Sequence, residues 1–188
     1  MRVITLVCLG ALALLAAPKK GEVAGSDYLS VGLTRESPAH YESGIGIEGI
    51  YGKDMAMLLP RLALEGRLSY TLDPAKDQRE YQVSSIGQRL DYVKTYLTLG
   101  AAGAYHYPVA YGFIATGRIG WMYRSAAVSR EHCIAGDCET DNYSVDESDL
   151  WAGIGGAWEL SSANAVYIDY YRLSDELIHF TLGLRHHF

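Results

Sequence analysis

The stretch Ile178-His-Phe-Thr-Leu-Gly-Leu-Arg-His-His-Phe188 decides the fold. Its even positions Ile178, Phe180, Leu182, Leu184 and Phe188 are apolar, with His186 the one interruption. Its odd positions His179, Thr181, Gly183, Arg185 and His187 are polar or small. Period-two alternation marks a strand with one greasy and one polar face. The strand runs into an aromatic residue, and the rest of the chain has to supply its neighbours.

The 188 residues include 20 Gly and 15 Tyr but only 3 Phe. No run reaches the ~18 apolar residues that a membrane-crossing helix needs, yet a transmembrane strand needs only ~9–11 tilted residues. A mean hydropathy near zero is therefore compatible with a membrane protein. The formal charge of -6 comes without any basic run or basic-aromatic patch, which argues against a nucleic-acid partner. Length suits one domain.

Met1-Arg2 is a short basic start, and Val3 to Ala17 is an apolar run ending in small residues. That run is too short to span a bilayer and reads as a secretory signal over residues 1–17, or as far as 24. Cys8 lies inside it without the preceding small pair of a lipoprotein signal, so it is expected to leave with the signal rather than carry a lipid. The barrel domain is then 27–188.

Seven further strands precede the last one. Strand one, about Asp27–Arg35, sets Leu29, Val31 and Leu33 against Ser30, Gly32 and Thr34, and Glu36 to Glu42 is the first loop. Strand two, about Ser43–Gly52, points Ile45, Ile47 and Tyr51 outward and Gly46 and Glu48 inward. Lys53 to Pro60 connects to strand three, although Met55-Ala-Met-Leu-Leu is too apolar for a simple turn. Strand three, Arg61–Leu72, sets Leu62, Leu64, Leu68, Tyr70 and Leu72 against Arg61, Glu65, Arg67, Ser69 and Thr71. Asp73 to Ser85 reads as a charged loop. Strand four runs from about Gly87 to Tyr107, and Pro108 marks a tight turn. Strand five, Val109–Arg124, carries Phe113, Ile119, Trp121 and Tyr123 outward and Thr116, Arg118 and Arg124 inward. Ser125 to Ser148 is the longest loop. Strand six, Asp149–Leu160, and strand seven, Ala165–Arg172, flank the short turn Ser161-Ser-Ala-Asn164.

The sum is an all-β, eight-stranded antiparallel up-and-down barrel, with the even strand number of bacterial single-chain barrels. With both ends in the periplasm, the long polar connections fall outside the cell and the short turns fall inside. Tyr51, Tyr105, Tyr107, Tyr111 and Trp158 then form a periplasmic aromatic girdle. A soluble lipocalin-type barrel would be polar outside and apolar inside; here the pattern is inverted.

The signal, the eight alternating strands, the Gly-rich strand centres and the ending Leu182-Gly-Leu-Arg-His-His-Phe188 resemble the small OmpA-like outer-membrane β-barrel family. The resemblance covers nearly all of the mature chain. It implies a location in the bacterial outer membrane after export through the periplasm. Outer-membrane lipid and lipopolysaccharide would surround the barrel. The resemblance also implies that Phe180, Leu182, Leu184 and Phe188 are the C-terminal signal read by the barrel assembly machinery. The peptidoglycan-binding domain of the family's namesake has no counterpart after strand eight and is not carried over. Family roles range from envelope integrity and adhesion to narrow-pore conductance, so fold does not settle function.

The same in/out assignment places Glu48, Glu65, Arg67, Lys94, Arg118, Glu159, Asp169 and Arg185 in the lumen. An eight-stranded lumen is just wide enough for side chains to fill, and charges there must be paired or hydrated. An ionic plug is expected, with Glu48, Glu65 and Arg67 on neighbouring strands and Asp169 near Arg185. Its functional variant is a gate whose pairs swap partners and admit ions.

Cys133 and Cys138 flank Ile-Ala-Gly-Asp in the longest loop, and in an exported chain a local disulfide is expected. The same loop holds Glu131, Asp137, Glu139, Asp141, Asp146, Glu147 and Asp149 against Arg130. The region 125–148 could take a divalent cation or a basic patch on another protein, or be a solvated, repulsive surface. It lacks the glycine and closing glutamate of an EF-hand.

Lipid A deacylases of the small-barrel kind carry a His closely followed by Ser and Asn, and Ser161-Ser-Ala-Asn164 has no such His. His186 and His187 face opposite ways on a strand and cannot chelate one ion. The expectation is a non-enzymatic barrel without cofactor or metal, acting in a structural or surface-interaction role. A narrow porin-like channel is the alternative, and a lipid A-modifying enzyme is more distant.

Overall fold

The computed structural model describes residues 27–38, 43–73, 75–83, 86–110, 112–134, 137–173 and 177–188. The expected signal segment, with Cys8, lies outside them. Nine strands are assigned: β1 (Tyr28–Pro38), β2 (Gly44–Asp54), β3 (Leu62–Asp73), β4 (Ala75–Val83), β5 (Ile86–Ala110), β6 (Phe113–Ile134), β7 (Asp137–Glu159), β8 (Asn164–Leu173) and β9 (Leu177–His187). β3 pairs with β5 from Leu62↔Tyr105 to Tyr70↔Leu97, and β4 takes up the same neighbour from Ala75↔Lys94 to Val83↔Ile86. The two are successive halves of one barrel strand. Proline 74, which has no N–H to give a ladder, falls at the break. Beside the break, the Thr71 hydroxyl accepts from the Tyr96 N–H at 3.0 Å in place of a backbone carbonyl.

Eight antiparallel strands result. The order β3-β2-β1-β9-β8-β7-β6-β5 closes through the β3–β5 pairing, so this circle has no sheet edge.

Alternation does in space what it promised in sequence. Along β1, Ser30, Thr34 and Glu36 are buried while Leu33 is 59 % exposed; along β6, Thr116 and Arg118 are buried while Ile119 is 67 % exposed. Apolar side chains outside and polar ones inside invert the soluble pattern, and only an apolar surround makes that stable. Tyr51, Tyr105, Tyr107 and Trp158 are exposed around the end that holds Asp27 and Phe188, here the terminal rim. Tyr70, Tyr123, Tyr170 and Phe180 are exposed toward the opposite, hairpin rim. The assembly-signal residues Phe180, Leu182, Leu184 and Phe188 all lie on the outer face.

Four sequence expectations about loops are corrected. Glu36 belongs to β1, not to the first loop, because the strand runs on to Pro38. The charged segment after Asp73 forms β4. The long loop 125–148 is largely a two-stranded ribbon, paired from Ser125↔Asp146 to Ile134↔Asp137 as a continuation of β6 and β7. The turn placed at Pro108 lies further on: β5 reaches Ala110 across a register shift at Pro108, and Gly112 takes the turn with φ +76°. In each case charge, Ser or Pro suggested a loop, whereas a ladder tolerates them on a solvated or edge position.

Between β2 and β3 the apolar Met55–Leu59 segment folds into a single helical turn, with Leu59 N–H donating to the Met55 carbonyl at 3.2 Å. Met57, Leu58 and Leu59 are exposed at the terminal rim.

Candidate functional site in the barrel lumen

Period-two geometry sends one side chain in every two into the barrel, so charges on distant strands meet near its axis. Glu48 comes from β2, Glu65 and Arg67 from β3, Arg118 from β6 and Asp169 from β8. All five are buried, between 0 % and 6 % exposed. Arg67 approaches Asp169 at 2.5 Å, Glu48 at 3.3 Å and Glu65 at 3.8 Å. Arg118 forks between Glu65 and Asp169, at 2.8 Å to each. Every carboxylate thus touches at least one guanidinium, and each guanidinium bridges at least two carboxylates.

Aromatic rings complete the plug. The Tyr28 hydroxyl donates to Glu65 at 2.5 Å and the Tyr171 hydroxyl to Glu48 at 2.9 Å. The Arg67 guanidinium lies over Tyr171 and Trp151, 4.9 and 5.0 Å from their ring centres. Histidines extend the network at both ends: His106 Nε2 is 3.2 Å from the Tyr28 hydroxyl, and His179 Nδ1 is 3.0 Å from the Tyr171 hydroxyl. A continuous set of polar contacts therefore runs from His106 near the terminal rim to His179 near the hairpin rim. Gly155 makes room for it, because a Cβ there would overlap the Asp169 carboxylate and sit 2.7 Å from Arg118 Nη1.

Of the residues expected in the lumen, Glu48, Glu65, Arg67, Arg118 and Asp169 come together. Arg185 does not join them as expected. It donates to Ser30 at 3.0 Å and stacks 4.2 Å from the Tyr28 ring centre, while Asp169 is held by Arg67 and Arg118. The expected Asp169–Arg185 pairing gives way because two guanidiniums reach the carboxylate from across the barrel. Glu159 sits half-buried at the terminal rim, its N–H donating to the Gly112 carbonyl, apart from the network. The Lys94 side chain lies outside the described ones.

Sequence reading missed Tyr28, Trp151, Tyr171, His106 and His179 as members of the plug. Their inward positions followed from alternation, but an aromatic or histidine in a strand carries no charge signal of its own. It also missed Glu36, which accepts from the Thr71 hydroxyl at 2.6 Å, and the pair of Arg124 with Glu147 at the hairpin rim.

Cys133 and Cys138 face each other directly in the β6–β7 register, one pair inside Ile134↔Asp137; their side chains lie outside the described ones. Glu139, Asp141, Asp146, Glu147 and Asp149 are exposed along β7. Among the described residues no group of three or more His, Cys, Asp or Glu is placed to hold a metal. At the terminal rim the Ser161 hydroxyl accepts from the Asn164 N–H at 3.1 Å, and His186 Nδ1 is 2.9 Å from Asn164 Oδ1. The amide stands between hydroxyl and imidazole, so this group lacks the Ser–His contact that nucleophile activation requires. His186 stacks near Phe188 and His187 near Tyr28, on opposite faces as the alternation demands.

An eight-stranded antiparallel barrel, apolar outside and ion-paired inside, is the architecture of the small outer-membrane β-barrels. Sequence comparison finds no matching family model and no matching curated protein. Comparison of folds finds OprG, an outer-membrane protein of Pseudomonas aeruginosa, at 11 % identity and TM-score 0.61, covering 91 % of this chain and 99 % of that one. Ail, the attachment invasion locus protein of Yersinia pestis, is similar at 17 % identity and TM-score 0.54, covering 88 % and 99 %. A major outer-membrane protein of Thermus thermophilus is similar at 13 % identity and TM-score 0.51, covering 87 % and 100 %. These neighbours share the fold and are bacterial outer-membrane proteins.

Proposed function

We propose that this chain is a closed outer-membrane barrel without enzymatic activity, whose role is structural and surface-interacting. In this reading the hairpin rim faces outward, and the assembly machinery reads the β9 signal during insertion. The observation that carries it is the interlocked lumen. Five charges at most 6 % exposed, roofed by Tyr171 and Trp151 and floored by Tyr28, leave no water-lined path along the axis among the described residues. What remains for contact is the sheet beyond the barrel, where β4 and the outer halves of β5, β6 and β7 project together. β7 pairs with β8 only from Trp151 to Glu159, so Asp137–Leu150 has one neighbour and a free edge. Residues 139–150 are exposed on both faces. An acidic edge of this kind suits a partner presenting a basic patch.

The narrow pore is the rival. It draws support from the shared partners of Arg67 and Arg118, since a guanidinium with two carboxylates can trade one for the other. Single-channel recording on refolded mature protein separates the readings, once unboiled and boiled samples migrate differently on a gel. The expected result is a folded, silent barrel. Discrete steps that change in Arg118→Gln or Glu65→Gln would hand the function to the pore.

A further inference from the structure

The lumen arginines Arg67 and Arg118 have carboxylate partners, and Arg124 pairs with Glu147. Arg35 is different. It is exposed on the outer face of β1. Its cross-strand partners are Ile45 on β2 and Phe180 on β9. Among the described residues it has no ion pair and no side-chain hydrogen bond. A guanidinium on the apolar face of a membrane barrel is unfavourable unless a counter-charge meets it.

Around Arg35 lies a groove of ≈ 450 Å³, lined among others by Leu33, Ser43, Ile45, Phe180 and Leu182. Its polarity is ordered. Arg35 and the Ser43 hydroxyl, which lies 3.0 Å from the Ser37 hydroxyl, stand toward the hairpin rim. Leu33 and Leu182, opposite each other one layer in, stand toward the membrane centre. The groove crosses three strands, about 10 Å at ordinary strand spacing, which exceeds the width of one extended acyl chain.

We propose that this groove is a binding site for a phosphorylated, multiply acylated glycolipid of the outer leaflet, with a phosphate on Arg35 and acyl chains against Leu33, Phe180 and Leu182. The inference rests on the outward placement of the hairpin rim given above. Arginine suits the task because its planar fork meets a phosphate with two parallel hydrogen bonds. The apolar half of the groove supplies contact that a free phosphate would not use.

The test uses the refolded mature barrel and purified bisphosphorylated lipid A, with retained lipid counted by native mass spectrometry. Wild type is expected to keep one lipid A. Arg35→Gln should lower the retained fraction about tenfold, the effect of losing one charge-assisted contact. Arg35→Lys should fall between them, and Lys53→Gln at the terminal rim should match wild type. Unchanged retention in Arg35→Gln overturns the proposal, as does equal retention of dephosphorylated lipid A or of phosphatidylglycerol. Failure of the barrel to insert into vesicles would instead sink the membrane reading, and gel mobility before titration tells these two failures apart.

Discussion

The barrel wall and the sheet projecting from it are built from the same strands under different rules. Within the wall, β6 alternates Thr116, Arg118 and Met122 inside with Ile119, Trp121 and Tyr123 outside. Beyond it, β7 from Glu139 to Leu150 is exposed on both faces and carries Glu139, Asp141, Asp146, Glu147 and Asp149. Lipid on one side and a packed lumen on the other dictate every residue of the wall, whereas water on both sides dictates almost none. Backbone pairing alone therefore holds the projecting ribbon, and a charge is worth little there and much inside. Electrostatic substitutions should show this contrast most plainly.

The largest effect is expected in the lumen. Arg118→Ala removes the fork that holds Glu65 and Asp169, leaving two buried carboxylates short of a partner. Breaking a buried ion pair from one side costs about 3–5 kcal/mol, and urea-driven unfolding from vesicles would measure it. The matched change outside is Glu147→Gln. It removes the partner of Arg124, but the Glu147 side chain is 48 % exposed, so the loss should stay below about 1 kcal/mol. Equal losses in the two variants would erase the contrast between wall and ribbon.

Steric substitutions rank next. In Gly155→Ala the added methyl meets the Asp169 carboxylate and Arg118, neither of which can move without breaking a pair. Overpacking of that kind costs about 1–3 kcal/mol. The same unfolding assay should place this variant between Arg118→Ala and Glu147→Gln. A neutral outcome would mean that the network has slack, and would favour the pore.

The two cysteines probe the ribbon itself. Directly opposed positions on antiparallel strands bring Cα atoms to about 4.5–5.5 Å, within the range a disulfide bridges. Oxidised protein should show no free thiol at Cys133 and Cys138 by alkylation and mass spectrometry. Replacing both with Ser should move barrel stability by less than about 0.5 kcal/mol. Proteolytic nicking between β6 and β7 should nonetheless quicken, because the bond would restrain only the ribbon. A large loss of barrel stability would show that the two regions are coupled.

The same division explains what could be read beforehand. Wall strands were legible because apolar solvent outside and a narrow interior enforce strict period two, as Ile178 to Phe188 illustrates. Glu48, Glu65, Arg67, Arg118 and Asp169 were legible as luminal because parity alone assigns a face. Their partners were not: Asp169 meets guanidiniums from β3 and β6, and pairing across a lumen depends on strand tilt and stagger, which a sequence does not print. The ribbon was illegible as strand because Asp141-Asn-Tyr-Ser-Val-Asp-Glu147 faces water twice and keeps no period. Glu36 was lost for a related reason, since Ser37-Pro38 at an edge looks like the start of a loop.

The smallest effect is expected at the terminal rim, where Asp27 ties β1 to β2. Its carboxylate accepts from the Asp54 N–H at 3.0 Å, from Lys53 Nζ at 3.1 Å and from the Tyr51 hydroxyl at 3.1 Å. The Asp54 N–H, and after it Lys53, hold the carboxyl below its ordinary value of 3.8. A depressed carboxyl stabilises the fold above that ordinary value and loses its contribution as pH falls through the lowered one. The site is open to water and salt, so the gain is slight. Asp27→Asn should therefore be less stable than wild type at neutral pH, by an amount that shrinks in high salt. Below about pH 3 the two should unfold together, since protonation makes wild type resemble the amide. A difference that survives in acid would show that backbone geometry, including the Phe188 N–H on the Asp27 carbonyl at 3.0 Å, holds this rim without the charge.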